Sequence, residues 1–255
     1  HEPHSNKLTL PENAVCLQCH EAKTFSQTSH HFHDTKGAGA VCADCHMPAK
    51  DYMVIDPRHD HSMRVPRPDL SEKFDTPNSC TNCHSDKSAE WAADKVRTWY
   101  GRDAEGFQGY AAALSAARAG ESSASYQLAE LIRDTSSPEI ARATALTELG
   151  PTLSMQTIGV LPVALSDADP AVRTAAVSIL ERTPHNVRVR LGFPMLEDPV
   201  RMVRIEAARA PTAACVRLLV SARREGKTTL LLTAHGVKLR NFGVHTCVHQ
   251  KCLVG

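Results

Sequence analysis

Apolar positions in the middle of the chain follow the pattern of amphipathic helices. From about residue 89 onward, apolar residues recur every three or four positions, as on one face of a helix. The first predicted helix covers 89–100, with Ala92, Val96, Trp99 and Tyr100 on one face and Gly101 as its stop. Further helices are predicted over 107–119, over 123–134 with Leu128, Leu131 and Ile132 facing inward, and from Pro138 to Gly150.

A sequence repeat with a constant period runs through this helical segment. It places an arginine at the equally spaced positions Arg142, Arg173 and Arg204 and a small residue three positions after each, at Ala145, Ala176 and Ala207. An aspartate precedes each of the three proline-containing helix starts, at Asp134, at Asp167 or Asp169, and at Asp198. This period is typical of stacked helix pairs of the HEAT type, which usually present a binding surface. A helical bundle without repeats is the alternative.

The segment 1–84 shows the opposite pattern. It contains few large aliphatic side chains, and proline and glycine interrupt it often, so fixed loops and short helices are expected. It also holds ten of the fourteen histidines and six of the nine cysteines. A segment of this composition cannot form a side-chain core of its own and needs another apolar group to fold around.

Charge and hydropathy exclude two classes of partner. The 29 basic residues nearly balance the 28 acidic ones, giving a net charge of +1. No basic surface is therefore expected for nucleic acid or anionic lipid. No run of about 18 apolar residues is present, so no membrane span is predicted. The oligomeric state is not predicted.

Three copies of the pattern C-x-x-C-H identify the missing apolar group. They consist of Cys16, Cys19 and His20; Cys42, Cys45 and His46; and Cys80, Cys83 and His84. This is the attachment motif of c-type haem, in which two thiols form thioethers with the haem vinyl groups and the histidine is the proximal iron ligand. Paired C-x-x-C also occurs in zinc sites, but these need an even number of pairs. Three covalently attached haems are therefore predicted.

Seven further histidines in this segment are candidate ligands for the distal side of the irons. The preferred candidates are His4, His30, His33 and His61, with His31 and His59 as alternatives beside them. Met53 and Met63 are competing thioether ligands. Arg58, Arg64 and Arg67 are either partners of haem propionates or ordinary solvated arginines.

The sequence resembles periplasmic multihaem c-type cytochromes whose haem region is followed by helical repeats of HEAT or tetratricopeptide type. The resemblance covers roughly residues 1–210. It rests on the segments 42–48, 51–62, 65–70, 76–80, 91–93 and 99–101. The resemblance implies a haem region that is longer on its N-terminal side. His1 is followed by Glu2-Pro3-His4, as His46 is followed by Met47-Pro48, and one interpretation is that His1 is the proximal ligand of a fourth haem whose cysteines lie upstream. The alternative is that His1 binds no iron and lies at a frayed N-terminus.

These observations predict a mostly α-helical protein with an irregular multihaem domain over 1–100, a HEAT-like domain over 101–210 and an unassigned tail over 211–255. The tail lacks the repeat, and its Cys215, Cys247 and Cys252 have no haem spacing, which raises the possibility of a reading-frame error. Since c-type haem is attached outside the energy-transducing membrane, an exported, periplasmic or extracellular protein is expected.

The expected function is electron transfer to and from a redox partner protein, with the helical repeats as a docking platform. No catalytic residue is predicted. One alternative is a multihaem oxidoreductase acting on a small nitrogen or sulfur oxyanion, which needs an iron with an open coordination site. Another is a scaffold protein whose repeats carry the function.

Overall fold

The computed structural model is mostly helical and divides into two compact units, His1–Gly109 and Tyr110–Gly255. It describes residues 4, 7–106 and 108–209, together with the backbone of 229–233 and 236–240. Those last two segments are strands β3 (Thr229–Thr233) and β4 (Gly236–Arg240), which pair antiparallel. The predicted ligand His1 and the three cysteines of the tail lie outside the described residues.

The first unit consists of short helices joined by irregular segments. Its helices are α1 (Ala22–Phe25), α2 (Thr28–His31), α3 (Cys42–His46), α4 (Pro68–Phe74), α5 (Cys80–Cys83) and α6 (Ala89–Tyr100). Two 3-10 segments, Glu12–Gln18 and Ala38–Ala40, precede α1 and α3. Strands β1 (Ala49–Tyr52) and β2 (Asp56–His59) form an exposed antiparallel hairpin.

The first unit has almost no side-chain core. Among its described residues, the fully buried apolar side chains are those of Ala92, Ala93 and Pro68. Arg67 and Asp69 form a buried ion pair in which two guanidinium nitrogens lie 2.7 and 2.8 Å from the carboxylate. A domain of about 100 residues normally buries well over half of its chain surface. The described residues of this unit therefore bury few of the apolar side chains that a stable domain of this size requires.

Helix α6 has the bounds that the sequence pattern predicts. Its start is capped by Ser88, whose hydroxyl accepts a hydrogen bond from the Trp91 backbone N–H at 3.1 Å. It ends at Gly101, which has a φ of 72° and donates its N–H to the Arg97 carbonyl. Arg97 also binds Glu72 of α4 at 2.9 Å, which joins the two helices.

The described helices of the second unit form a continuous stack around one apolar core. They are α7 (Ala111–Arg118), α8 (Ala124–Arg133), α9 (Glu139–Leu149), α10 (Leu161–Leu165), α11 (Pro170–Ile179), α12 (His185–Gly192) and α13 (Arg201–Arg209). Helix α9 packs between α8 and α11, and α11 packs between α9 and α13. The predicted inward-facing residues Leu128, Leu131 and Ile132 are all buried.

Buried ion pairs connect successive parts of this stack at a fixed spacing. Arg142 pairs with Asp167, and Arg173 pairs with Asp198, so each arginine binds the aspartate 25 positions later. Arg173 also donates to the carbonyls of Asp167 and Ala168 at 2.8 and 2.9 Å. These two arginines of the sequence repeat thus occupy equivalent places in the fold.

Candidate functional site

Each C-x-x-C-H motif folds as a single helical turn. The first lies at the end of the 3-10 segment Glu12–Gln18, the second is α3, and the third is α5 followed directly by its histidine. The backbone N–H groups of His20 and His84 donate to the carbonyl of the first cysteine of their motif, at 3.0 and 2.9 Å. Since residues three apart share one side of a helix, both thiols of a motif leave the backbone in the same direction. A single planar macrocycle can therefore form bonds with both thiols of a motif.

The six motif cysteines form no disulfide bonds, and some of them lie close to one another. Burial raises the pKa of Cys45 to about 11, with a further contribution from the nearby Cys80. Burial likewise raises the pKa of Cys42, and Cys16 beside it adds to the effect. The Asn13 side chain holds the first two motifs together, since it donates to the Ala40 carbonyl and accepts from the Cys42 N–H, both at 2.8 Å.

Two of the predicted proximal histidines, His46 and His84, each lie near a second imidazole ring. The ring centroids of His46 and His30 are 6.1 Å apart with an angle of 8° between the ring planes. Those of His84 and His33 are 6.2 Å apart with an angle of 32°. Metal–imidazole bonds are about 2 Å long, so two imidazoles on opposite faces of one metal have centroids about 6 Å apart. Both centroid distances therefore match the spacing of two imidazoles that would bind one haem iron.

Backbone hydrogen bonds hold these rings in the tautomer that ligates a metal. His46 Nδ1 lies 2.8 Å from the Arg64 carbonyl, and His33 Nδ1 binds the His31 carbonyl. A carbonyl only accepts, so Nδ1 carries the proton and Nε2 presents its lone pair. Burial, with smaller effects from His46 and His31, lowers the pKa of His30 and favours its neutral form. The donor set thus fits a haem iron.

The other predicted iron ligands have the following surroundings. The ring of His20 contacts Phe25, at a centroid distance of 5.3 Å. His61 follows β2 on an exposed segment, where its Nδ1 lies 2.8 Å from the His59 carbonyl, and His4 is also exposed. His59 itself binds the Met47 carbonyl at 2.6 Å. Met53 and Met63 are exposed.

The candidate propionate partners all have carboxylate neighbours within the chain. Arg58 binds Asp56 at 2.7 Å and lies over the Tyr52 ring. Arg64 lies 3.6 Å from Asp60. Arg67 takes part in the buried pair with Asp69 described above. Of the three, Arg67 is the one whose surroundings favour a structural role.

Sequence reasoning assigned no part in the site to the aromatic residues of α6 that contact the candidate ligand histidines. Trp91 and Trp99 of α6 lie beside the rings of His84 and His33, and the Tyr100 hydroxyl donates to the His30 carbonyl at 2.6 Å. The available signal was the spacing of the two tryptophans, two helical turns apart on a helix that starts soon after the third motif.

Comparisons with protein-family models, with curated proteins and with solved structures gave no match to this chain. Within the described residues, no three His, Cys, Asp or Glu side chains converge as a metal centre made of protein ligands alone. A haem iron takes its equatorial ligands from the porphyrin and one or two axial ligands from the protein. No described helix combines the length and apolarity needed to cross a bilayer.

Proposed function

We propose that this chain is a multihaem c-type cytochrome that transfers electrons. The observation that carries the proposal is the combination of three C-x-x-C-H turns with a second imidazole about 6 Å from two of the three proximal rings. The near absence of a side-chain core in the first unit supports it, because bound haems would supply the missing apolar surface.

The residues of the chain have separate tasks in this proposal. The cysteine pairs at 16 and 19, 42 and 45, and 80 and 83 tether three haems, and His20, His46 and His84 ligate the irons proximally. His30 and His33 are the distal ligands opposite His46 and His84. When bound, the haems supply one-electron redox chemistry. Two imidazole ligands on one iron leave no position for a substrate, which favours electron transfer over catalysis.

The helical second unit is proposed to be a HEAT-like array that docks a redox partner protein. Its support is the fixed spacing of the two buried ion pairs and of the helices that carry them. Covalent haem attachment further implies an exported, periplasmic or extracellular protein.

Mass spectrometry of the denatured protein, made in a host that assembles c-type cytochromes, tests the proposal. Three haem mass increments are expected, and a Cys80→Ala/Cys83→Ala variant should lose one of them. Electron paramagnetic resonance of the oxidised protein should show low-spin signals for the His46 and His84 haems. An unmodified mass with zinc in the native protein would refute the proposal.

The ligands of the haem iron at the first motif distinguish electron transfer from the oxidoreductase alternative. A proximal His20 without a second imidazole on its iron would give a high-spin haem that binds carbon monoxide when reduced. A fully low-spin protein without carbon monoxide binding supports electron transfer alone. Replacement of His61 by Ala identifies the ligand if it converts the haem of the first motif to the high-spin form.

A further inference from the structure

Two tryptophans of α6 each lie beside one ring of the His33–His84 pair. The Trp91 ring is 4.9 Å from the His84 ring, with an angle of 53° between their planes. The Trp99 ring is 6.0 Å from the His33 ring and meets it edge-on at 75°. Both tryptophans are half-buried. Because they are two helical turns apart, the same helix reaches one imidazole with each of them.

The ring of His33 is enclosed from several directions. Phe32 stacks on Trp99 with centroids 4.8 Å apart and an angle of 1°. Phe32 has a φ of 56°, a left-handed conformation that is strained for a bulky residue and that turns the chain directly before His33. On another side, a Cβ added to Gly39 would lie 2.9 Å from the Cβ of His33 and closer still to its ring carbons. Gly39 therefore leaves the space that the imidazole occupies.

We propose that Trp99 and Gly39 are positioning residues that hold His33 as the distal ligand of the haem attached through Cys80 and Cys83, and that Trp91 supports the proximal His84. This inference rests on the proposed function. His84 follows a covalently attached cysteine directly, so its ring stays near the iron without Trp91. His33 has no covalent bond to the haem and depends on its surroundings to remain in place.

The two tryptophans are therefore expected to differ in effect. In Trp99→Ala and in Gly39→Ala, His33 should leave its iron, so that one of the three haems becomes high-spin and binds carbon monoxide when reduced. In Trp91→Ala the same haem should remain low-spin, with shifted g values and a shifted reduction potential. Trp99→Phe keeps an aromatic ring beside His33 and should retain the ligand.

The experiment uses the full, haem-loaded chain, with electron paramagnetic resonance, carbon monoxide binding and redox titration as readouts. The control is Tyr126→Ala, which removes an exposed aromatic residue of α8 in the second unit and should match the parent protein. Spin-state signals and carbon monoxide binding unchanged from the parent protein in both Trp99→Ala and Gly39→Ala would overturn the inference. Equal loss of the ligand in Trp91→Ala and Trp99→Ala would also overturn it, because it would reflect general disruption of α6.

Failure of this inference is distinguishable from failure of the proposed function. If the parent protein carries no haem by mass spectrometry, the proposed function fails. If it carries three haems and the variants above leave the spectra unchanged, the positioning role alone fails. If Trp99→Ala does not accumulate, Gly39→Ala decides the outcome, since this substitution leaves α6 intact and acts on the His33 ring directly.

Discussion

The buried ion pair between Arg173 and Asp198 should be a major determinant of stability in the second unit. The guanidinium binds both carboxylate oxygens, at 2.8 and 3.0 Å, and the side chains are only 11% and 3% exposed. Replacing Arg173 by Met leaves the Asp198 carboxylate buried without its counter-charge. Removing one partner of a buried pair costs about 3–5 kcal/mol. For a unit of this size, that loss corresponds to a fall in Tm of about 10 °C.

Urea denaturation followed by far-ultraviolet circular dichroism measures this loss. The matched control is Arg133→Met, because Arg133 forms an exposed pair with Glu130, with side chains 41% and 78% exposed. Exposed pairs of this kind contribute about 0–1 kcal/mol. An Arg173→Met variant that is no less stable than the Arg133→Met control would refute the reasoning.

The contribution of the Arg173–Asp198 pair to stability depends on pH, and the pKa of Asp198 determines the direction of this dependence. The hydrogen bonds from Arg173 hold the pKa of Asp198 below its ordinary value. The unfolded chain therefore binds the proton more readily than the folded one, and stability rises with pH in this range. The contribution of Asp198 should be complete above the unfolded pKa of about 3.9 and should disappear as the pH falls through the folded value. The stability difference between the parent protein and Asp198→Asn should accordingly shrink below about pH 4.

Three other perturbations test different parts of the structure. Ala176 is fully buried, so the larger side chain of Ala176→Leu should overpack the core and cost about 1–3 kcal/mol in urea denaturation. Asp169 caps α11 by accepting from the Ala171 N–H at 2.7 Å, so Asp169→Ala should cost about 1 kcal/mol in the same assay, and no loss would argue against the cap. Protein made without haem should be cleaved rapidly by protease within 7–106 but slowly within 110–209, because the first unit lacks a side-chain core; equal resistance would contradict this.

The sequence was sufficient where local patterns determine the structure. The bounds of α6 were predicted from its apolar face and from Gly101, and this prediction is confirmed. Helix α8 (Ala124–Arg133) lies within the predicted segment for the same reason. Helix α7 begins at Ala111, later than the predicted start at 107, because positive φ angles at Gly106 and Gln108 bend the chain before it.

The partners of the histidines could not be read from the sequence. They depend on contacts between distant residues, such as His33 with His84 and the Tyr100 hydroxyl with the His30 carbonyl. Phe32, which lies between His31 and His33, has a left-handed φ. Nothing in the sequence predicts this turn, because the position is not a glycine. The composition predicted several candidate ligands, and the tertiary structure shows which of their rings lie close together.

The equal spacing of the two ion pairs affects which changes in length preserve them. The interval from Arg142 to Arg173 equals the interval between their partners, Asp167 and Asp198. Duplication or deletion of one complete interval would keep each of these guanidinium groups beside a carboxylate, whereas a change that shifts one helix against its neighbour would separate the partners. Because a separated partner is a buried unpaired charge, gain or loss of a whole interval preserves the stability of this stack better than a shift of its helices does.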